Sequence, residues 1–226
     1  MEIILRISNM TEIKEFVFNP FQENTFVLFD ETNECIIIDP GCFNDHEKKA
    51  LKNFIKEKAL KPVAVILTHG HVDHICGTKY CFEEFGLAPE CHKLDHDILN
   101  QAVLHGKIFG FEIDAPPTPG KTLKEGDKVM VGNTSLSVIH VPGHTRGSIA
   151  FFQNEQKFLV TGDVLFNGGI GRTDLPGGNY DVLMNSIKDK LLPLGDEVKV
   201  YSGHGPSTSL GEERKSNPFI KDYFNM

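Results

Sequence analysis

Thr68-His69-Gly70-His71-Val72-Asp73-His74 gathers three imidazoles and a carboxylate within seven residues, directly after the apolar run Val63-Ala64-Val65-Ile66-Leu67. The apolar run reads as a buried strand, so the polar cluster sits where a strand ends and a loop opens. Sites built from helices and sheets usually lie at such strand ends. Imidazole nitrogen and carboxylate oxygen are the ligands that borderline divalent metals such as zinc prefer. One histidine alone is more often a satisfied structural residue than a ligand. Three in one loop with an aspartate are a costly group to dehydrate unless they hold something.

Further candidates arrive at long range. His144 lies in Val141-Pro142-Gly143-His144-Thr145-Arg146-Gly147-Ser148, Asp163 ends Phe158-Leu159-Val160-Thr161-Gly162-Asp163, and His204 lies in Tyr201-Ser202-Gly203-His204-Gly205-Pro206. Each follows an apolar, strand-like run and each has glycine beside it, which lets the backbone turn sharply or approach a ligand closely. His69, His71, Asp73, His74, His144, Asp163 and His204 are thus seven candidate ligands, enough for two metal ions that share one carboxylate.

His-x-His-x-Asp-His followed by Gly-His, Gly-Asp and Gly-His-Gly-Pro resembles the metallo-β-lactamase superfamily over nearly the whole chain. Within it the chain is most similar to the glyoxalase II-like (hydroxyacylglutathione hydrolase-like) branch. Asn19-Pro20-Phe21-Gln22-Glu23-Asn24, Gly171-Arg172-Thr173-Asp174 and Ser207-Thr208-Ser209-Leu210-Gly211-Glu212-Glu213-Arg214 carry that likeness. The resemblance implies that His69, His71 and His144 hold one metal, that Asp73, His74 and His204 hold the second, and that Asp163 bridges them. It also implies two divalent ions, zinc first, with iron or manganese as alternatives.

Composition narrows the function classes. With 226 residues and 40% hydrophobic content the chain can build one sizeable core, so residues 1–226 are expected to form a single domain. The net charge of −8 has no basic block behind it, which argues against a nucleic-acid partner. No apolar run reaches the ~18 residues that span a bilayer, so no membrane partner is expected. Met1-Glu2-Ile3-Ile4-Leu5-Arg6 is too short and too acidic for a signal peptide. Five cysteines, an odd number, fit a reducing, cytoplasmic compartment. Cys76 and Cys81 lie near the histidine run, but buried cysteine usually acts as a small hydrophobe, and the site has its ligands without them. Nothing in the sequence sets the oligomeric state.

Strand character over Glu12–Phe18, Thr25–Phe29 and Cys35–Ile38 precedes Asp39-Pro40-Gly41, where turn chemistry gives Asp39 the job of bonding the turn. A helix is expected over about Asp45–Lys58, with Asp45 as its cap, and another over about Gly77–Phe85. A β-rich part runs from Val129 to Val160. A helix over about Asn179–Leu192, a strand over Val198–Ser202 and a capping box at Ser209-x-x-Glu212 complete the order. Strands followed by strand–helix repeats, twice over, predict an α/β (α+β) four-layer αβ/βα sandwich. Leu104–Thr118 reads as a long irregular stretch, either a substrate lid or a proline-stiffened connection.

Two bound metal ions can lower the pKa of water to about 7 and polarise a carbonyl, which suits hydrolysis of a thioester or ester. Asp73 would ligate, orient the nucleophile and carry its proton. No Gly-x-Ser-x-Gly elbow offers a serine instead. Arg172 is the candidate for an anionic group of a small-molecule thioester, or else pairs with Asp174 to shape its loop. Full-length glyoxalase II proteins add a helical carboxy-terminal domain that grips glutathione. This chain ends soon after His204, so lactoyl glutathione is expected to bind weakly and simpler thioesters to be accepted. The same motifs also resemble a mononuclear iron persulfide dioxygenase, in which His69, His144 and Asp163 would hold the iron. A non-catalytic module has no reason to keep seven such ligands.

Overall fold

The computed structural model describes residues 10–224. The amino-terminal segment read against a signal peptide therefore lies outside the described residues. Strands β1 (Glu12–Phe18), β2 (Glu23–Phe29), β3 (Glu34–Ile38), β4 (Lys61–Ile66) and β5 (Pro89–Glu90) form a first sheet in that order. A second sheet has the order β13-β12-β9-β8-β7-β6. Its strands are β6 (Lys128–Val131), β7 (Thr134–His140), β8 (Ile149–Gln153), β9 (Phe158–Gly162), β12 (Lys199–Ser202) and β13 (Thr208–Ser209). Between β9 and β12 a small hairpin is made by β10 (Leu165–Phe166) and β11 (Gly169–Ile170).

Side-chain alternation decides the layering, because successive strand residues face opposite sides of a sheet. Phe26 and Leu28 of β2, Ile36 and Ile38 of β3, and Ile66 of β4 pack against Leu136, Val138, Ile149, Phe151, Phe158 and Val160 of the second sheet. The residues between them face outward. Val27, Phe29, Cys35, Ile37 and Val65 meet Leu51 and Ile55 of helix α1 (Asp45–Glu57). Ala150, Phe152, Leu159 and Val200 meet Leu183 and Met184 of a later helix (Tyr180–Ser186). Strands apolar on both faces must be covered on both faces, and the result is the four-layer αβ/βα sandwich.

The remaining helices are α2 (Val72–Ile75), α3 (Thr78–Phe85), α4 (His96–Asn100), α5 (Ala102–Ile108), α6 (the Tyr180–Ser186 helix), α7 (Leu210–Ser216) and α8 (Pro218–Phe224). Two local expectations are corrected. Asn44, not Asp45, caps α1: its side chain accepts from Glu47 N at 3.0 Å while the Glu47 carboxylate reaches back to Asn44 N. Asp45 is already helical, where its charge suits the positive helix end. The start of Leu104–Thr118 is also helical, since α5 runs to Ile108 and its Gly106 closes against the returning chain, accepting from Phe111 N at 2.7 Å. No helix among the described residues is long and apolar enough to cross a membrane.

The sheets are stitched at one rim. Asn24 N donates to Gly203 O at 2.7 Å, Gly203 N to Gly162 O at 3.0 Å, and Ile149 N to Thr68 O at 2.9 Å. The segments leaving β4, β7, β9 and β12 all open onto this rim, and they carry the seven candidate residues.

Candidate metal centre

Five imidazoles meet at the rim, and hydrogen bonds fix the direction in which four of them point. Thr68 Oγ1 donates to Asp39 Oδ2, so it can only accept from His69 Nδ1, 3.0 Å away. His74 Nδ1 lies 3.0 Å from Asp39 Oδ2, His144 Nδ1 2.8 Å from Arg172 O, and His204 Nδ1 3.1 Å from Phe21 O. Each acceptor holds the proton on Nδ1 and leaves the Nε2 lone pair facing inward, as acceptors behind metal-bound histidines do. His71 is the exception and presents Nδ1, 2.8 Å from His144 Nε2.

The inward atoms fall into two ligand sets. His69, His71 and His144 form one, and Asp73, His74 and His204 the other. His69 Nε2 and His144 Nε2 are 3.3 Å apart, which matches the ~3.3 Å edge of a tetrahedron with nitrogens about 2.0–2.1 Å from one ion. In the second set, Asp73 Oδ2 lies 3.2 Å from His204 Nε2 and 3.7 Å from His74 Nε2. Asp163 stands between the sets: Oδ2 is 3.7 Å from His144 Nε2 and 3.6 Å from His204 Nε2, and Oδ1 is 3.3 Å from His74 Nε2. His74 Nε2 and Asp163 Oδ1 are buried with no hydrogen-bond partner among the described residues. Orphaned buried polar atoms of this kind need an explanation, and a bound cation supplies one. The residues therefore fit a pair of divalent ions.

A third grouping, Asp39 with His69 and His74, fits less well. Both Asp39 oxygens are occupied, by Thr68 N at 2.6 Å, the Thr68 hydroxyl and His74 Nδ1. Asp39 thus braces two histidines rather than the Asp-Pro-Gly turn, which corrects the sequence expectation.

Burial and charge act together here. Burial and the neighbouring imidazoles push His69 well below the usual range, and burial with His144 brings His71 to about 3, so both stay neutral with lone pairs available. With no cation between them, Asp163 and Asp73 hold a proton on His74 against its burial, and the His74 charge in turn holds the Asp163 carboxyl well below its ordinary value; a bound cation takes the place of that proton and frees the Nε2 lone pair. Gly203 is required for this crowding: a Cβ there would run into Asp163 Oδ1 and His74 Cε1.

Two further residues carry no local sequence signal for the roles they fill. Glu23 is wholly buried 3.9 Å from His74 Nδ1; its Oε2 accepts from Thr25 and its Oε1 has no partner among the described residues. Burial pushes its carboxyl well above the usual range. Its only sequence hint was an acidic residue opening an otherwise buried strand. Asp95, also wholly buried, binds the two loops that carry the first ligand set. Arg172 lies at the edge with its guanidinium paired to Asp174, Nε–Oδ1 at 2.8 Å and Nη2–Oδ2 at 2.7 Å, both side chains exposed. The sulfur of Cys76 donates to Gly41 O at 3.0 Å, and neither Cys76 nor Cys81 joins a ligand set. Phe21, whose carbonyl holds His204, stacks on Phe111 at 4.8 Å and meets Phe109 edge-on, so the former lid candidate is an aromatic wall beside the rim.

The family model of the metallo-beta-lactamase superfamily matches residues 18–204. The chain belongs to this superfamily. The hydroxyacylglutathione hydrolase GloC of Haemophilus influenzae is 38% identical over 88% of this chain and 93% of that relative. Among solved structures, the B3 metallo-beta-lactamase BLEG-1 superposes with a TM-score of 0.85 at 34% identity, covering 92% of this chain and 99% of the other. TTHA1623, solved in a di-iron-bound form, gives a TM-score of 0.82 at 36% identity, over 91% and 99%. Membership and relatives together make this superfamily member a metal-dependent hydrolase.

Proposed function

We propose that the protein is a dinuclear hydrolase of thioesters, converting a 2-hydroxyacyl thioester to the 2-hydroxy acid and a thiol. The observation that carries this reading is the complete second ligand set, Asp73, His74 and His204, joined to the first through Asp163. A mononuclear iron dioxygenase needs only His69, His144 and Asp163, and would leave Asp73, His74 and His204 without a task. The likeness to a hydroxyacylglutathione hydrolase supports the thioester as substrate. Residues 1–226 are read as one catalytic domain working in the cytoplasm.

In this reading His69, His71 and His144 hold one ion, Asp73, His74 and His204 the other, and Asp163 serves both. Divalent ions bound there, zinc first, with iron or manganese as alternatives, would supply Lewis acidity for acidifying water and polarising the thioester carbonyl. The chain does the rest. Asp39, Thr68, Arg172 O and Phe21 O hold four imidazoles in one tautomer, so the site needs no reorganisation as charge develops. Asp73, whose Oδ2 lies 3.2 Å from His204 Nε2, orients the attacking water and passes its proton to the departing thiolate.

Two measurements test the reading. As-purified protein should hold two metal ions per chain and hydrolyse lactoyl thioesters, with little turnover of a β-lactam and no oxygen uptake on a persulfide. One iron per chain with oxygen uptake would overturn it in favour of the dioxygenase. Arg172 is proposed to exchange Asp174 for an anionic group of the substrate. Arg172→Ala should then raise KM for anionic thioesters more than it lowers kcat, and Asp174→Ala, which frees the guanidinium, should lower KM. Unchanged KM in both variants would leave Arg172 with the salt bridge alone.

A further inference from the structure

Asp95 sits outside every motif of the chain, at the end of the turn Lys93–Asp95 and just before α4. Its carboxylate is fully buried and faces no lysine or arginine ion partner among the described residues. Among the described residues its hydrogen bonds go to two places. Oδ2 accepts from Gly70 N at 2.9 Å and from Thr145 Oγ1 at 2.8 Å, and Oδ1 accepts from Gly147 N at 2.7 Å. Gly70 lies between His69 and His71, while Thr145 and Gly147 follow His144. One carboxylate thus ties the loop leaving the first sheet to the loop between β7 and β8 of the second.

The fit is close on every side. A Cβ at Gly147 would come within 2.5 Å of Asp95 Oδ1, so glycine is needed for the amide to reach it. Thr145 is itself held, with its amide on Ser148 Oγ at 3.1 Å and its hydroxyl 2.8 Å from the same atom. Burying a carboxylate without a cation is costly unless its oxygens are hydrogen-bonded. Here that requirement is met only when the two loops are in register. The energy that favours full hydrogen bonding of Asp95 therefore favours one spacing of His69 and His71 from His144. Asp39 holds His74 of the second set and, through Thr68, His69 of the first, whereas the hydrogen bonds of the Asp95 carboxylate go to the loops of the first set alone.

We propose that Asp95 is a positioning residue for the first metal: it sets the geometry of His69, His71 and His144 through the backbone and leaves the affinity of Asp73, His74 and His204 alone. The proposal rests on the dinuclear reading above. Its test uses Asp95→Asn, which keeps the shape but replaces one acceptor oxygen with an amide whose hydrogens face the donors of the loops. The variant is made in two backgrounds: His204→Ala, which cripples the second set, and His69→Ala, which cripples the first. Zinc affinity is measured by competition with a chromophoric chelator, beside the melting temperature of each metal-free protein.

Affinity should fall about 10–100-fold in the His204→Ala background, the range seen when an outer partner of a metal ligand is lost. It should stay within about twofold in the His69→Ala background. Equal losses in both backgrounds, or none in the first while the metal-free protein melts lower, would overturn the proposal and leave Asp95 a purely structural residue. Should Asp95→Asn fail to fold, Thr145→Val carries the test. It removes one of three donors and should weaken zinc binding several-fold in the His204→Ala background, with Thr145→Ser restoring it; no change with valine would overturn the proposal. If the unmodified chain binds no zinc at all, the dinuclear reading itself fails, an outcome distinct from wild-type-like binding by Asp95→Asn.

Discussion

Asp163→Ala should reduce bound metal from two ions per chain to less than one and lower kcat/KM by about a thousandfold or more. The expectation follows from where the carboxylate stands. Its Oδ2 lies 3.7 Å from His144 Nε2 and 3.6 Å from His204 Nε2, one from each ligand set, and its Oδ1 lies 3.3 Å from His74 Nε2. Loss of a mere outer-shell partner costs about 10–100-fold in metal affinity or activity, and a directly placed anion shared by both sets must cost more. The first set would be left with three neutral imidazoles, and the second would keep one carboxylate. Metal analysis after gel filtration decides the matter. Two ions per chain in the variant would show that Asp163 joins neither set.

Asp73 separates ligation from proton transfer. It lies in the first turn of α2 with its Oδ2 3.2 Å from His204 Nε2. Asp73→Ala should lower kcat by about 10²–10⁴, the usual weight of a positioned acid–base group, and should empty the second set while the first stays filled. Asp73→Asn keeps an oxygen for the metal and loses the proton acceptor. Its metal content should therefore stay nearer two than that of the alanine variant while kcat remains low. Full turnover in the asparagine variant would move the proton-carrying role to another group. Metal content and kcat measured on the same preparations distinguish the two effects.

The layers and the candidate ligands were legible along the chain before any fold was known. The continuous apolar runs Phe26-Val27-Leu28-Phe29 and Ile149-Ala150-Phe151-Phe152 make both faces of each strand apolar, and only a sheet covered on both sides can satisfy that. Histidine and aspartate next to glycine at strand ends are legible because metal ligation demands particular side chains, and such side chains are rare in clusters. Boundaries were less legible: Asn44 displaced Asp45 as the cap because capping depends on the backbone turning out of the helix at one residue, and both can accept the bond.

Tertiary structure alone decided which groups hold the ligands in place. Asp39 looked like a turn residue because Asp-Pro-Gly is a local signal, whereas its contact with His74 spans 35 residues. Asp95 bonds across 25 residues to Gly70 and 52 to Gly147, and Glu23 reaches His74 only once β3 joins β2 to β4 in the first sheet. Arg172 was an open choice in sequence; the fold put Asp174 within bidentate reach and its own carbonyl under His144. Local chemistry fixes what a residue can do. Which of its possible partners it meets depends on chain crossings, and those follow from burying the sheets as a whole.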